Sequence, residues 1–279
     1  MRGLQARTTC RIPATRPTQV INMNKALLPA AAGVLIAIAV TTTMDATGYA
    51  MFSALPLAPL TGVYWTLQKY SREQIGLVWG NLRSYAMALA YPSAVLGTIT
   101  AVAYLSGAID TSDANWKNVL LNMTAGGSIG VLMVLITEEG FFRGWLWAAL
   151  KRAGQSDRQV LIWTSIAFTI WHISAISLDT GFDIPAREIP VFLVNATLLG
   201  GVFGFLRMIS GSVVVPSVCH AIWNALDYPL YGFGEKVGAL GIENTHIFGP
   251  EVGILGIGIN SIFAFALWLW WRTQSQQRH

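Results

Sequence analysis

Long apolar runs, separated by short polar stretches, dominate the chain from residue 26 to residue 271. A helix that crosses a bilayer needs about 20 mainly apolar residues. Eight runs approach this length, and we predict a transmembrane helix for each. They cover residues 26–44, 48–67, 85–107, 119–150, 160–178, 189–206, 210–230 and 252–271. The pattern therefore predicts an all-α fold, a polytopic bundle of about eight transmembrane helices.

Four details of this pattern concern individual segments. Only a short stretch around Asp45 separates the first two runs, so we expect them to form a helical hairpin. The fourth run is long enough to tilt or to extend past the headgroups. Residues 71–79, between the second and third runs, are predicted to form a short helix at the membrane surface. The run of small residues over 200–204 is predicted to let a neighbouring helix pack closely.

The basic residues test the number of spans independently, because cytoplasmic loops are enriched in Lys and Arg. With a cytoplasmic N-terminus and eight helices, 15 of the 18 Lys and Arg residues lie in predicted cytoplasmic segments or, for Arg143, in the cytoplasmic half of the fourth span. Only Lys117, Arg187 and Lys236 lie outside. A miscounted helix would invert every later loop and scramble this distribution. The charges therefore favour eight spans with both termini in the cytoplasm.

Composition agrees with a membrane protein. Of the 279 residues, 53% are hydrophobic and 11% are charged, whereas soluble domains carry about 25% charged residues. The net charge of +4 does not indicate nucleic-acid binding, because the basic residues form no single patch. Cys10 lies in the polar N-terminal tail and Cys219 in an apolar run, so no disulfide is predicted.

The chain divides into three predicted parts. Residues 1–25 hold five basic residues and no acidic one, and we predict a disordered cytoplasmic tail. An organelle-targeting segment, or an upstream extension of a chain that starts at Met23, are the alternatives. Residues 26–271 form the transmembrane domain, and residues 272–279 a C-terminal tail. The predicted location is the bacterial inner membrane.

Three predicted spans carry polar residues at positions where a lipid environment makes them costly. They are Glu138, Glu139 and Arg143 in the fourth span, Phe168 and His172 in the fifth, and His220 and Asn224 in the seventh. Glu138, His172 and His220 each lie 13 or 14 residues from a basic residue at the cytoplasmic end of their span. At a rise of 1.5 Å per residue, the three lie at one depth, about 20 Å from that boundary.

Helix geometry separates the two glutamates. Residues four apart share a helix face, so Glu139 is predicted to pair with Arg143. Glu138 points about 100° away and is free for another role. His220 and Asn224 share a face, and Phe168 is expected to shield the site from lipid. Each feature alone is commonly structural, but the shared depth favours one site.

These motifs resemble those of the CPBP family, also called the CAAX-protease, bacteriocin-processing or Abi family of intramembrane endopeptidases. The family pattern is Glu-Glu-x-x-x-Arg, Phe-x-x-x-His and His-x-x-x-Asn on three successive conserved spans. Residues 138–143, 168–172 and 220–224 match it in order, and the resemblance covers roughly residues 119–230. It implies hydrolysis of a peptide bond of a membrane-associated protein or peptide. Eukaryotic relatives trim prenylated CAAX proteins, and the role of some members does not require proteolysis.

Two mechanisms fit these residues. In the first, Glu138 is the general base for water, His172 holds the water, and His220 and Asn224 donate hydrogen bonds to the oxyanion. Glu139, Arg143 and Phe168 support the site. In the second, Glu138, His172 and His220 bind a divalent metal such as zinc, since two His and one carboxylate are a known catalytic set. No His-Glu-x-x-His motif is present.

Other classes of function also remain open at this point. A nucleophile at Cys219 is disfavoured, because it neighbours His220 in sequence and adjacent residues on a helix point apart. A membrane scaffold or an immunity-type protein would need no catalytic base. A transporter is expected to show two related halves with broken helices at the midplane, and the sequence shows no such symmetry. Loss of function on Glu138→Gln distinguishes a hydrolase from these alternatives.

Overall fold

The computed structural model describes residues 23–234 and 236–276. The predicted N-terminal tail, including Cys10, therefore lies almost entirely outside the described residues. The long apolar runs form helices that pack side by side, and α-helix dominates the described chain. The prediction of an all-α, polytopic membrane protein is confirmed.

The helices and strands follow one another along the chain with short connections. The α-helices are α1 (Met23–Ala46), α2 (Leu57–Gln68), α3 (Arg72–Ile75), α4 (Leu82–Leu105), α5 (Trp116–Ile136), α6 (Trp147–Arg152), α7 (Asp157–Trp171), α8 (Ile173–Ser177), α9 (Ile189–Ser210), α10 (Val214–Tyr231), α11 (Thr245–Phe248) and α12 (Ile254–Gln276). A 3₁₀-helix covers Ala50–Phe52, and a π-helix covers Gly140–Leu146. The strands β1 (Gly232–Phe233) and β2 (Lys236–Val237) form an antiparallel hairpin.

Six helical segments among the described residues are long and apolar enough to cross a membrane. They are Leu27–Ala46, Leu82–Leu105, Trp116–Arg152, Asp157–Ser177, Ile189–Ser210 and Ile254–Thr273. They correspond to six of the eight predicted spans, and the remaining two predicted spans contain α2 and α10. The helix α2 has only 12 residues, because turns precede it and Pro56 is its N-cap. The helix α10 has 18 residues, and its His, Asn and Asp side chains lower its hydropathy. The count of eight and the cytoplasmic termini stay predictions.

The predicted fourth span is not one continuous α-helix. The helix α5 ends at Ile136, and Thr137 leaves the helical conformation with φ −102° and ψ −98°. A π-helix then runs from Gly140 and leads directly into α6. A Cβ atom at Gly140 would collide with the carbonyl oxygen of Leu135, so a glycine is needed there. Glu138 and Glu139 thus lie at a break in the span, and π-helical turns often occur at functional sites.

The helix α10 lies in the interior of the bundle, where it packs against α4, α5 and α9. The helices α7 and α9 also pack closely, as the run of small residues predicted. A Cβ atom at Gly200 would lie 3.2 Å from Ser165 of α7, and one at Gly204 would collide with Leu161. These two contacts hold α7, which ends at His172, close to α9, which leads into the loop before α10.

Arg207 has a different environment from the one the charge pattern suggested. It lies in a predicted cytoplasmic segment, but only 6% of its surface is exposed. Its Nε donates to the carbonyl oxygen of Arg143 at 3.1 Å, and its Nη2 donates to that of Gln74 at 3.2 Å. Arg207 therefore connects the end of α9 to the π-helix and to α3. The predicted surface helix over residues 71–79 is reduced to the four residues of α3, which Ser71 caps.

Candidate active site

Glu138 lies between two imidazole rings. Its Oε2 atom is 3.7 Å from Nε2 of His172 and 3.9 Å from Nε2 of His220. Both distances exceed that of a direct hydrogen bond, and Oε2 has no hydrogen-bond partner among the described residues. The side chain is 14% exposed. The carboxylate is therefore buried, close to two polar rings, and not paired with a cation of its own.

His172 is held in place by its own helix. It is the residue at which α7 ends and α8 begins, and its Nδ1 is 2.8 Å from the carbonyl oxygen of Phe168. Because a carbonyl oxygen only accepts, Nδ1 must carry the proton of this hydrogen bond. In the neutral ring, Nε2 is then unprotonated and faces Glu138. It can accept a hydrogen bond from water.

Glu139 is fully buried and has two partners. Its Oε1 is 3.2 Å from Nη1 of Arg143, which is the ion pair that the four-residue spacing predicted. The same oxygen accepts a hydrogen bond from Nδ1 of His220 at 3.1 Å. The second contact was not predicted, because it joins residues 81 positions apart in the chain. Glu139 therefore orients one of the two rings that face Glu138.

Aromatic rings surround the buried guanidinium of Arg143. Its Cζ is 4.4 Å from the ring centroid of Phe168 and 5.6 Å from that of Phe203, and its Nη2 donates to the carbonyl oxygen of Gly200 at 2.9 Å. Phe203 also stacks on His220, with centroids 4.6 Å apart. Sequence analysis assigned the Gly200 and Phe203 segment to packing only. Phe168 lies buried between Arg143 and the ring of His172 and lines the cavity.

Asn224 lies one helical turn after His220 and lines the same cavity as Glu138 and His172, which has a volume of about 180 Å³. Its side chain makes no hydrogen bond to another described residue and is free to donate one. Asn224 also lines a groove of about 490 Å³ between α5 and α10. The structure thus brings together all four residues that the sequence predicted as catalytic. It adds Glu251, which belongs to none of the three sequence motifs, to the cavity lining.

The alternative with a bound metal has less geometric support. It required Glu138, His172 and His220 to bind zinc together. Within the described part of the chain, no group of three or more His, Cys, Asp or Glu side chains is arranged to hold a metal ion. Cys219 is a buried free thiol.

Comparison with known proteins agrees with this site. Residues 120–226 match a family model described as Type II CAAX prenyl endopeptidase Rce1-like. No curated protein matches the chain at a significant level. The matched stretch contains all the motif residues of the three helices, from Glu138 to Asn224. The fold and the site define an integral membrane protein with a polar intramembrane site. Residues 120–226 are similar to the CAAX-protease family of intramembrane endopeptidases, as the motifs predicted.

Proposed function

We propose that this protein is an intramembrane endopeptidase in which Glu138 activates water to hydrolyse a peptide bond of a membrane-associated protein or peptide. The observation that carries the proposal is the environment of the Glu138 carboxylate. It is largely buried, forms no ion pair with a described Lys or Arg, and lies within 4 Å of the Nε2 atoms of His172 and His220. A carboxylate that is not paired with Lys or Arg keeps its capacity to accept a proton from water.

The first step is the attack of water on the scissile carbonyl carbon. Glu138 takes one proton from the water molecule, and the remaining hydroxide forms the new C–O bond. His172 positions the water, because its Nε2 accepts a hydrogen bond while its Nδ1 is bonded to Phe168. The substrate carbonyl oxygen gains negative charge in this step and becomes the oxyanion of a tetrahedral intermediate.

His220 and Asn224 stabilise that oxyanion. The Asn224 amide donates from a side chain with no competing partner. Since Nδ1 of His220 donates to Glu139, its Nε2 donates only in the doubly protonated ring. The positive charge of that ring lies between the carboxylates of Glu138 and Glu139. Preorganised donors of this kind are commonly the largest single contribution to catalysis of acyl transfer.

The groove between α5 and α10 suits a substrate that approaches through the membrane. Its lining is mainly apolar and includes the small residues Gly126, Gly130 and Ala225. Asn224 lies at the junction of this groove with the catalytic cavity. We propose that an apolar or lipid-modified part of the substrate lies in the groove while its peptide bond reaches Glu138. The family that residues 120–226 match is one of prenyl CAAX endopeptidases, which agrees with such a substrate.

The test compares cells that produce wild-type protein with cells that produce Glu138→Gln. Quantitative proteomics should show an uncleaved membrane-associated precursor that accumulates only in the variant. Cleavage of that precursor by the purified variant in liposomes should fall by about 100-fold or more. Glu73→Gln, the same change on the exposed surface of α3, is the matched control and should cleave normally. Near-wild-type turnover by Glu138→Gln contradicts the proposal.

A further inference from the structure

A second carboxyl group lines the catalytic cavity, and it comes from outside the matched residues 120–226. Glu251 lies in the loop before α12 and is 7% exposed, yet it borders the same cavity as Glu138 and Asn224. Nε1 of Trp223, the residue before Asn224, donates to Glu251 Oε1 at 2.7 Å. This bond points the Glu251 carboxyl towards the face of α10 that carries the site.

The backbone of Glu251 is held as firmly as its side chain. Nδ2 of Asn195 donates to the Glu251 carbonyl oxygen at 2.9 Å. Asn260 donates in turn to Oδ1 of Asn195 at 3.2 Å, and Tyr91 donates to Oδ1 of Asn260 at 2.6 Å. This buried network joins α4, α9 and α12, and a satisfied buried network rigidifies its members. A loop residue fixed by three helices is suited to a positional role.

Asp227 is the neighbour of Glu251 in a second, smaller void. It lies one turn after Trp223, is 1% exposed, and its Oδ1 has no hydrogen-bond partner among the described residues. Asp227 and Glu251 line a void of about 10 Å³ together with Glu188, close to the minimum volume for one water molecule. Glu188 differs from the other two, because it accepts a hydrogen bond from Thr245 at 3.0 Å.

If every carboxyl group that lines these two cavities is ionised, the region carries a net negative charge. Neither cavity is lined by a Lys or Arg among the residues that the structure describes. Titratable groups face Glu251 from three sides: Asp227, Tyr228, Tyr231 and His220 on α10, Glu138 across the cavity, and Glu188 before α9. Two buried carboxyl groups without a cation share a proton at lower cost than they carry two charges. Burial, reinforced by the charge of Glu138, raises the pKa of Glu251 to about 7.

We propose that Glu251 is a further catalytic residue, the general acid that protonates the amine leaving group. The inference rests on the proposed function and assigns it a second carboxyl. Glu251 is the one of the two buried acids that lines both the small void and the catalytic cavity. The cavity has a volume of about 180 Å³. In a space of this size, one bound peptide bond can contact both Glu138 and Glu251.

The proton balance of this step is closed. Glu138 takes a proton from water as the C–O bond forms. When the C–N bond breaks, its electron pair stays on nitrogen and takes the proton of the Glu251 carboxyl, so that the products are a carboxylic acid and a neutral amine. The proton on Glu138 then passes through water in the cavity to Glu251 and restores both groups. No oxidant, reductant or metal is required.

The test uses two substrates with one peptide sequence, cleaved either at an amide or at an ester with a phenolate leaving group. A phenolate leaves without a proton, so only the amide needs the acid. In purified Glu251→Gln, kcat/KM for the amide should fall by about 100-fold, and kcat/KM for the ester should stay within about threefold of wild type. The Gln side chain still accepts the hydrogen bond of Trp223. Glu188→Gln is the matched control, because it also changes a buried carboxyl of the small void, and both substrates should be cleaved normally.

The outcomes separate the two proposals. A wild-type protein that cleaves neither substrate contradicts the proposed function itself. A wild-type protein that cleaves both, together with a Glu251→Gln variant that cleaves the amide normally or loses both activities equally, overturns only the assignment of the general acid. An unstable Glu251→Gln variant would also lose both activities, so a second variant is needed to decide that case.

Glu251→Asp is this second variant, because it keeps a carboxyl group on a side chain that is shorter by one methylene. Its kcat/KM for the amide should lie clearly above that of Glu251→Gln and should fall as the pH rises through the pKa of the carboxyl, whereas kcat/KM for the ester should not fall. An amide rate equal to that of Glu251→Gln, or the same alkaline limb for both substrates, overturns the role of Glu251 as the general acid.

Discussion

At the scale of single residues, adjacent glutamates occupy two unlike environments. Glu139 is fully buried and bonded to Arg143 and His220, whereas the Oε2 of Glu138 has no hydrogen-bond partner among the described residues and the side chain borders the cavity. The difference follows from a rotation of about 100° per residue in a helix. Glu139 therefore stabilises the packing of the helices, while Glu138 borders the cavity of the candidate site.

Substitution of each glutamate should reveal this division. Glu139→Gln leaves the Arg143 cation buried without its carboxylate, a defect that costs roughly 3–5 kcal/mol. We expect a lower folded yield and melting temperature as well as lost activity, and Arg143→Ala should behave similarly. Thermal unfolding in detergent measures the effect. Glu138→Gln serves as the control, because it should unfold at the wild-type temperature while being inactive. A fully stable but inactive Glu139→Gln would mean that the two roles are reversed.

At the scale of helices, the local sequence pattern predicted contacts within one helix and one close helix pair, but not the side-chain contacts between distant residues. Four-residue spacing predicted the Glu139–Arg143 pair, and small residues predicted the close packing of α7 and α9. The sequence does not predict the break after Ile136, because the apolar residues before it and Gly140 after it are also compatible with a continuous helix. The contacts of Arg143 with Gly200 and of His220 with Glu139 join residues 57 and 81 positions apart. Such contacts depend on how helices pack, which the periodicity of one segment does not specify.

Gly200 and Gly201 offer a matched test of this packing. A Cβ atom at Gly200 would lie 3.1 Å from Nη2 of Arg143 and 3.2 Å from Ser165, whereas one at Gly201 would meet no atom within 4 Å. Gly200→Ala should therefore displace Arg143 or separate α7 from α9, at a cost of about 1–3 kcal/mol, and lower activity. Gly201→Ala should be neutral or stabilise α9 by up to about 1 kcal/mol. Equal melting temperatures of the two variants would argue against a tight α7–α9 contact.

At the scale of the whole molecule, hydropathy and charge together predicted the class of fold, and six of the predicted spans meet the criteria of length and composition. The sequence predicted the segments that carry polar site residues less well than the other segments. The helix α10 carries the buried His220 and Asp227 and the partly buried Asn224, so its hydropathy is low although it lies inside the bundle. The same residues that make this helix hard to recognise as a span form the site. Glu251 could not be assigned to the site, because only the fold brings its loop against α10.

The orientation of α2 and α10 is the last prediction, because these two helices decide between six and eight crossings. If both cross the bilayer, Thr47 and Val237 face the outside, and Glu73 and Arg158 face the cytoplasm. All four are exposed, and single cysteines at these positions, with Cys10 and Cys219 replaced by serine, can be labelled in intact cells with a membrane-impermeant maleimide. Only the cysteines at positions 47 and 237 should react, and permeabilised cells should label all four.

Each alternative has its own signature in this experiment. Labels at positions 47 and 73 on one side would make α2 a re-entrant segment, consistent with its length of 12 residues, which at 1.5 Å per residue covers only about 18 Å of a core about 30 Å thick. Labels at positions 158 and 237 on one side would mean that α10 does not cross, because α7 and α9 return the chain to its starting side. A complete exchange of the two sides would keep eight spans and invert the termini. The distribution of Lys and Arg favours the first pattern, since Lys69 and Arg72 follow α2 directly, and inverting the chain would place most basic residues outside.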